Sequence, residues 1–220
     1  MKVLFLGKEN DHNSQIAAGF LQLHFNDVTV VYSNRKSPIP SHVYDWEGAF
    51  IISYLAQWII PAAVLSKATW AAINFHPGPP EYPGIGCTNF AVYNRENMFG
   101  ITCHHMIPKV DSGPIIAVSR FPVFEKDTVY SITQRCYSEI LHLFYQLIGN
   151  VLAGVPLPQS SEGWKRKPYT RKQLNELCEL TPEMSPEEIA LRIKATTYGD
   201  KQWAFMKSGE DITTYSSEKN

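Results

Sequence analysis

Apolar and polar positions alternate along the first half of the chain in blocks that predict βα units. Short apolar runs, each closed by glycine, proline or polar residues, are typical of buried parallel strands. Between the first two runs, apolar residues recur at helical spacing over residues 14–25. The predicted strands are residues 2–6, 27–32, 49–53 and 70–75. This order predicts an α/β fold with a parallel sheet.

The second half of the chain continues this pattern and then changes. A short helix (88–97), two strands (100–106 and 115–123) and a long amphipathic helix, capped by Asp127 and ending before Gly154, complete a first domain. Prolines and serines near residue 160 form a link. The predicted tail has helices at 171–180 and 185–197 and a hairpin of residues 202–206 and 211–215 around Gly209. We therefore expect a Rossmann-like core with a mainly parallel sheet at residues 1–160. A small α+β segment at 161–220, ending in the hairpin, should follow it.

The composition is that of an ordinary globular protein. Of 220 residues, 44% are hydrophobic, and 20 basic and 21 acidic side chains leave a net charge of −1. Neither sign forms a long run, so we expect no nucleic-acid partner. The four cysteines form no Cys-x-x-Cys pair, and no apolar run suits a signal peptide or a membrane span. We therefore expect reduced thiols, a cytoplasmic location and no membrane partner.

The first candidate chemistry lies where the strand at residues 70–75 meets a loop rich in proline and glycine. Asn74 and His76, two positions apart, project from one face at a strand's carboxyl end, where open α/β sheets bind ligands. Asp111 follows later, just before Ser-Gly-Pro. An aspartate can orient and charge an imidazole, the histidine can move protons, and the amide can donate to a developing oxyanion. Each residue alone is as typical of a structural histidine or a turn, but the combination favours a catalytic site.

These residues resemble the formyltransferases that use 10-formyltetrahydrofolate. The resemblance rests on Asn-x-His before a proline-containing loop, on Gly-Ile-Thr at residues 100–102 and on Val-Asp-Ser-Gly at residues 110–113. It covers residues 48–120 well and residues 1–160 in outline. It implies a formyltransferase core, a catalytic triad of Asn74, His76 and Asp111, and N10-formyltetrahydrofolate as the co-substrate.

The resemblance also implies where the folate lies. By itself, the stretch at residues 52–61 is equally typical of a strand end and a helix lead-in that pack only for the core. The resemblance implies instead that this stretch and a second loop line the pterin slot, through backbone groups and apolar contact. The implied folate-contacting residues are Gln57, Trp58, Ile59, Ile107 and Val110. We expect no metal, because the adjacent His104 and His105 point to opposite faces of a strand; which of them faces the acceptor stays open.

Two features in which the chain differs from other formyltransferases indicate the expected acceptor. The loop after Gly7 has no glycine before Gly19, unlike the phosphate loop of glycinamide ribonucleotide enzymes. Residues 161–220 are few and balanced in charge, unlike the larger barrel domain of methionyl-tRNA formyltransferases. Among the remaining kinds of formyltransferase, the chain most resembles the nucleotide-sugar N-formyltransferases. The implied acceptor is a nucleotide-linked amino-deoxy sugar for lipopolysaccharide O-antigen biosynthesis, first dTDP-4-amino-4,6-dideoxyglucose and then a dTDP-3-amino-3,6-dideoxyhexose.

Other interpretations stay open on the sequence. The acceptor could be methionyl-tRNA or glycinamide ribonucleotide, or the chain could be a hydrolase that releases formate. It could also be a non-catalytic module that binds folate or a nucleotide sugar. The tail offers aromatic residues that suit a nucleotide base, or equally a core and a dimer seam, and basic residues that suit a diphosphate or a solvated turn. These are Trp164, Tyr198, Trp203 and Phe205, and Lys165, Arg166 and Lys167. A homodimer is expected through the terminal hairpin.

Overall fold

A computed structural model of the protein describes residues 1–208 and 211–215 and confirms the predicted α/β fold with a mainly parallel sheet. The strands of the central sheet are β1 (Lys2–Lys8), β2 (Asp27–Ser33), β3 (Gly48–Tyr54), β4 (Ala68–His76), β5 (Met98–His105) and β6 (Ile115–Pro122). Their order is β2-β1-β3-β4-β5-β6; the first four pair in parallel, and β5 pairs antiparallel with both β4 and β6. The order reverses between β1 and β3, so the carboxyl ends of these strands flank a switch point.

Helices cover both faces of this sheet. They are α1 (His12–His24), α2 (Ser41–Tyr44), α3 (Ala62–Leu65), α4 (Cys87–Tyr93) and α5 (Val129–Leu152). Alternate strand residues face opposite sides, and Phe5 belongs to the larger core, with Leu21 of α1 and Phe144 of α5. Leu4 faces the other way, into a smaller core that includes Val64 of α3. Burial on both faces explains why the parallel strands are almost continuously apolar.

The structure corrects the predicted start of the long helix. Thr128, not Asp127, is the N-cap of α5, because its hydroxyl accepts the N–H of Ser131. The hydroxyl of Ser131 in turn accepts the N–H of Thr128, which completes a capping box. Asp127 instead accepts the N–H of Phe124 and pairs with the guanidinium of Arg135 at 3.0 Å. The prediction of Asp127 as the cap is therefore wrong, because Arg135 holds the Asp127 side chain.

Three other predicted details also differ. The first helix begins at His12, because the side chain of Asp11 caps it. The helix predicted to reach residue 97 ends at Tyr93, and Arg95 then adopts a left-handed φ of 55°. The one-turn helices α2 and α3, each opened by a proline, were not predicted. The first two differences lie at element ends, where local capping contacts decide the boundary, and the third concerns helices of a single turn.

The C-terminal part docks on the central domain and contains the predicted hairpin. Its elements are α6 (Arg171–Cys178), β7 (Glu179–Leu180), α7 (Pro186–Thr196), β8 (Thr197–Tyr198), β9 (Lys201–Gln202), β10 (Ala204–Ser208) and β11 (Asp211–Tyr215). The hairpin is β10 paired with β11, and its predicted turn at Gly209 lies outside the described residues. Asn89 of α4 donates to the carbonyl of Ala195 in α7, across the proposed division at residue 160. Within the described ranges, no helix combines the length and apolarity needed to cross a bilayer.

Candidate active site

A cleft of about 840 Å³ opens at the carboxyl edge of the parallel strands. Lys8 at the end of β1 and His76 at the end of β4 both line it, so it lies at the switch point of the sheet. The cleft brings together every residue that the sequence predicted for the site. These are Asn74, His76 and Asp111, with Gln57, Trp58, Ile59, Ile107 and Val110.

Strand β4 holds Asn74 and His76 in place because it is paired on both sides. Its register sets Asn74 opposite Ser53 of β3 and opposite His104 of β5. His76 is the last residue of the strand and is 4% exposed. Pro77 follows and has no N–H to continue the ladder. The two side chains are therefore placed by backbone pairing rather than by a mobile loop.

Asp111 joins two histidines at the centre of the cleft. Its Oδ2 lies 3.3 Å from Nδ1 of His76 and accepts the N–H of Gly84 at 2.8 Å. Its Oδ1 lies 3.2 Å from Nε2 of His104. Burial raises the pKa of Asp111, but the charge of His76 and the contacts with His104 and Gly84 outweigh burial and lower the pKa to about 2. The carboxylate is therefore ionised at neutral pH and stabilises positive charge on either imidazole.

The turn that carries Asp111 is held by close backbone contacts. Asp111 has a left-handed φ of 39°, which costs a non-glycine residue free energy. The hydroxyl of Ser112 donates to the carbonyl of Lys109. A Cβ at Gly113 would lie 1.9 Å from the carbonyl oxygen of His105, so only glycine fits there. The Asp-Ser-Gly sequence thus lets the turn pack against β5 and direct the carboxylate inward.

His104 is a fourth member of the centre, whose role the sequence left open. Its Nδ1 faces the carbonyl oxygen of His105 at 2.9 Å, and its Nε2 lies 3.1 Å from Nδ2 of Asn74. If Nδ1 donates to that carbonyl, an unprotonated Nε2 accepts from Asn74, and a protonated one donates to Asp111. His104 therefore connects the amide to the carboxylate. The sequence could not select it over His105, because the register of β5 with β6 shifts between Cys103 and His104.

The proline-rich loop (residues 77–86) holds the second ring nitrogen of His76. Nε2 lies 2.9 Å from the carbonyl oxygen of Tyr82, while Nδ1 faces Asp111. Both partners are acceptors, so both contacts are hydrogen bonds only when the ring carries two protons. A Cβ at Gly78 would lie 2.7 Å from Nε2. The centre therefore suits a positively charged His76 whose ring position is fixed.

Trp164 covers both imidazoles from the side of the C-terminal part. Its ring meets His104 edge-on with centroids 5.1 Å apart and His76 with centroids 6.0 Å apart. Its indole N–H donates to the carbonyl of Gly113 at 2.8 Å. The sequence suits Trp164 either to stacking on a nucleotide base or to a core and dimer seam. The structure places it against the histidines instead, outside the cleft lining.

The chain after Trp164 also braces the proline-rich loop. The N–H of Tyr169 donates to the carbonyl of Pro83, and the carbonyl of Tyr169 accepts the N–H of Ile85. The guanidinium of Arg166 stacks 3.3 Å from the centre of the Tyr169 ring. Residues 165–167, considered above for a diphosphate, do not line the cleft.

The wall formed by Gln57, Trp58 and Ile59 is held by its polar groups and exposes an apolar side chain. The N–H of Gln57 donates to the hydroxyl of Ser33, and the indole N–H of Trp58 donates to the carbonyl of Ser37, both at 2.8 Å. Ile59 is 71% exposed. Fixed backbone beside an open apolar surface suits a flat, partly polar ligand.

The loop after β5 adds a second apolar surface. Ile107 and Val110 are 42% and 39% exposed and both line the cleft. Their exposure contrasts with the burial of Asp111, which follows Val110 directly. The loop therefore presents apolar side chains to a ligand while its last residues reach the centre.

Neither a thiol nucleophile nor a metal cluster is found in the part of the chain that the structure describes. Burial raises the pKa of Cys87 to about 12, and its thiol donates to the carbonyl of Pro77, so it stays protonated at neutral pH. No group of three or more His, Cys, Asp or Glu in those ranges is arranged to hold a metal ion. What the centre offers is an amide and an imidazole beside a buried carboxylate, which suits stabilisation of a developing oxyanion.

Sequence reasoning missed a set of polar residues that also line the cleft. They are Lys8, Arg35, Tyr137 and Arg171. They come from the end of β1, the segment after β2, helix α5 and the start of α6. No local motif connects four such distant segments, so only the folded chain shows that they share a surface.

Comparison with known proteins gives these observations a context. Residues 44–147 match the family model Formyl_trans_N, described as formyl transferase. A methionyl-tRNA formyltransferase from Pediococcus pentosaceus is 28% identical over 135 residues, which cover 61% of this chain and 38% of that protein. The chain thus spans well under half the length of this relative.

Two solved structures share the fold over nearly the whole chain. A sugar N-formyltransferase from a Shewanella species has a TM-score of 0.81 at 19% identity, covering 100% of this chain and 98% of that one. An N-formyltransferase from Helicobacter canadensis, solved with folinic acid and dTDP-3-aminofucose, has a TM-score of 0.73 at 18% identity, covering 96% and 85%. At these identities the likeness establishes the fold.

Proposed function

Because residues 44–147 match the formyl transferase family model and the chain has the fold of sugar N-formyltransferases, we propose that the protein is an N-formyltransferase. It moves the formyl group of N10-formyltetrahydrofolate to the primary amine of a nucleotide-linked amino-deoxy sugar. The favoured acceptor is dTDP-4-amino-4,6-dideoxyglucose, followed by a dTDP-3-amino-3,6-dideoxyhexose. The product would serve formylated cell-surface polysaccharides, and the enzyme would work in the cytoplasm as a homodimer.

One observation carries this proposal: Asp111, buried and ionised, contacts His76 and His104, and His104 contacts Asn74. A histidine with a purely structural role needs one satisfied hydrogen bond; it does not need a buried carboxylate that it shares with a second histidine at the centre of a ligand-sized cleft. Transfer of a formyl group between two nitrogens needs a stabilised oxyanion and a proton carrier, and these groups supply both.

The mechanism assigns one task to each residue. The amine adds to the formyl carbon, and the oxygen that becomes negative is stabilised by the amide N–H of Asn74 and by charged His76. Asp111 holds the imidazole and stabilises its charge. The bond from carbon to N10 then breaks as N10 takes a proton, the former amine loses one, and tetrahydrofolate leaves. For His76 to move these protons, its Nε2 must release the carbonyl of Tyr82, which it contacts at 2.9 Å.

The acceptor class is supported by the start of α1. The carboxylate of Asp11 accepts from the N–H and the hydroxyl of Ser14, and it is 8% exposed. That side chain occupies the helix end at which a glycine-rich loop would receive a phosphate. The arrangement disfavours a glycinamide ribonucleotide type of acceptor. A further support is that the Helicobacter canadensis protein, which shares the fold, was solved with a dTDP-amino sugar.

The deciding experiment is formyl transfer from 10-formyltetrahydrofolate to a panel of amines, followed by mass spectrometry. The panel holds dTDP-4-amino and dTDP-3-amino sugars, glycinamide ribonucleotide and methionyl-tRNA. We expect a gain of about 28 daltons, the replacement of H by CHO, on a dTDP-amino sugar and on no other member. Transfer to methionyl-tRNA or glycinamide ribonucleotide alone would replace the proposed acceptor.

Two further outcomes test whether the chain is a transferase at all. Formate released at the same rate with and without amine would indicate a hydrolase. Folate binding with no transfer to any amine in a single-turnover assay would indicate a binding module. Asn74→Ala and His76→Ala serve as negative controls, because the initial rate of a true transferase must fall strongly in both.

A further inference from the structure

The cleft is strongly basic in a chain that is almost neutral. Four of its lining residues carry fixed positive charge: Lys8, Arg35, Lys109 and Arg171. Among the lining residues that the structure describes, Asp111 supplies the one carboxylate, and it is already engaged by two histidines. The whole chain, in contrast, has a net charge of −1. A concave surface with this imbalance attracts anionic ligands.

Two of these cations, Lys8 and Arg35, act on Tyr137 of α5, and the third, Arg171, feels the charge of Arg35. The ammonium of Lys8 donates to the Tyr137 hydroxyl at 3.0 Å and lies 4.9 Å from the centre of its ring. Burial raises the pKa of Tyr137, and the positive charge of Arg35, which lines the same cleft, opposes that shift. Burial and then the charge of Arg35 lower the pKa of Arg171. We call Lys8, Arg35 and Arg171 the cationic cluster.

The cationic cluster is poorly neutralised. Lys8 has one carboxylate nearby, that of Asp11 at 4.0 Å. Within residues 1–208 and 211–215, no ion pair joins Arg35 or Arg171 to a carboxylate within 4.0 Å. Two guanidinium groups that repel each other on one surface raise the free energy of the folded chain, and an anion that bridges them offsets this cost.

The start of α1 does not provide an anion site here, which favours the side chains for that task. Helix α1 starts beside Lys8, but Asp11 caps it and adds a negative charge where its free N–H groups would otherwise face an anion. An anion near the end of β1 must therefore be held by ammonium and guanidinium groups. Guanidinium groups suit this task because their fork of N–H donors matches two oxygens of a phosphate.

We propose that Lys8, Arg35 and Arg171 form a side-chain clamp for the two phosphates of a nucleoside diphosphate linked to the acceptor amine. This inference rests on the proposed function for its acceptor class and deepens it by locating the diphosphate. Three cations match a diphosphate diester, which carries two negative charges, better than they match an uncharged amine or a lone sugar. The clamp uses segments outside the walls formed by residues 57–59 and 107–110, so it leaves those walls to the folate.

The test measures binding by the full chain of inorganic pyrophosphate, thymidine diphosphate and thymidine, by calorimetry at low and moderate salt. The variants are Arg35→Ala, Arg171→Ala and the double variant. The control is Lys172→Ala, next in sequence to Arg171, whose side chain is 86% exposed, pairs with Glu176 and does not line the cleft. We expect each single variant to bind both diphosphates about tenfold more weakly, and the double variant about 100-fold, with a smaller salt dependence. Lys172→Ala should match the wild type, and thymidine should bind all proteins alike.

Steady-state kinetics separate this inference from the proposed function. The variants should raise KM for a dTDP-amino sugar and leave KM for formyl-folate unchanged. Transfer to a dTDP-amino sugar with an unaltered KM in the double variant would overturn the clamp while the proposed function stands. A rise only in KM for formyl-folate would assign the cluster to the glutamate carboxylates of folate and also overturn the clamp. If no amino sugar is formylated but the diphosphates bind with the expected losses, the clamp stands and the proposed function fails. Wild-type protein that binds neither diphosphate would reject the clamp directly.

Discussion

His76 and Asp111 at the centre of the cleft are 4% and 7% exposed, whereas Ile59 and Ile107 on its walls are 71% and 42% exposed. Every polar contact at the centre is made by a group held on a strand or in a braced turn. On the walls, the backbone is fixed and the side chains are open to solvent. The groups at the centre are held in one geometry, whereas the apolar side chains of the walls are free to contact a ligand.

This difference separates two kinds of effect. In the proposed mechanism the groups at the centre act on the reacting atoms, so a change there should weaken stabilisation of the transition state and lower kcat. A change on the walls alters contacts that substrate and transition state share, and should raise KM. The following predictions test this separation, from the largest expected effect to the smallest.

The strongest test of the centre is His76→Ala. Removing the proton carrier and the charge held by Asp111 should lower kcat about 1,000-fold, within the range for general acid–base catalysis. Turnover of the purified variant is compared with that of His42→Ala, which removes an exposed histidine on α2. Wild-type turnover in His76→Ala would show that the whole centre takes no part in the mechanism.

Asn74→Ala tests the oxyanion donor. Loss of one such donor should lower kcat on the order of 100-fold with little change in KM for either substrate. Asn150→Ala, an exposed position on α5, is the matched control. An equal loss of kcat/KM that comes from KM alone would show that Asn74 contributes to substrate binding and not to stabilisation of the oxyanion.

Asp111 predicts a pH dependence of stability. Its pKa is about 2 in the folded chain and 3.8 ordinarily, so its contribution is complete above pH 4 and is lost as the pH falls towards 2. The difference in free energy of unfolding between wild type and Asp111→Asn should therefore shrink by about 2 kcal/mol between pH 5 and pH 2. Guanidinium unfolding curves at a series of pH values measure this difference. A constant difference would show that the two histidines do not stabilise the carboxylate.

Trp164→Phe keeps a ring over the histidines and removes the hydrogen bond to Gly113. Loss of one hydrogen bond should lower kcat up to about tenfold, because the turn that holds Asp111 loosens. As a positioning residue, Trp164 should shift the pH profile of kcat, which a purely structural loss would not do. Trp203→Phe, partly exposed and outside the cleft lining, is the control.

The smallest effect is expected on the walls. Ile59→Ala removes exposed apolar surface and should raise KM for formyl-folate about fivefold with kcat unchanged. Ile212→Ala, which is similarly exposed on β11, should change neither constant. A fall in kcat for Ile59→Ala would contradict the division between centre and walls.

The sequence predicted the sheet, the long helix and the meeting of Asn74, His76 and Asp111 because each has a local signal. Periodicity marks strands and helices, and a proline after a strand marks its end. The cap of α5 was harder to predict. Asp127 and Thr128 are both suitable N-cap residues, and only the folded position of Arg135 decides between them.

Contacts made across the fold have no such signal. His104 reaches Asn74 through the register of β4 with β5, which one chain's pattern does not reveal. Trp164 meets the histidines from about 60 and 90 residues away, and the cationic cluster joins three separate segments. These positions depend on tertiary packing, so sequence reasoning left them open or missed them.

The cover provided by Trp164 has a consequence for the order in which the protein is made. A ribosome synthesises Asn74, His76 and Asp111 first, and Trp164 emerges more than 50 residues after Asp111. Until then both imidazoles lack their lid, and the turn at Gly113 lacks its indole donor. A nascent chain therefore carries Asn74, His76 and Asp111 before the contacts that cover and brace them can form.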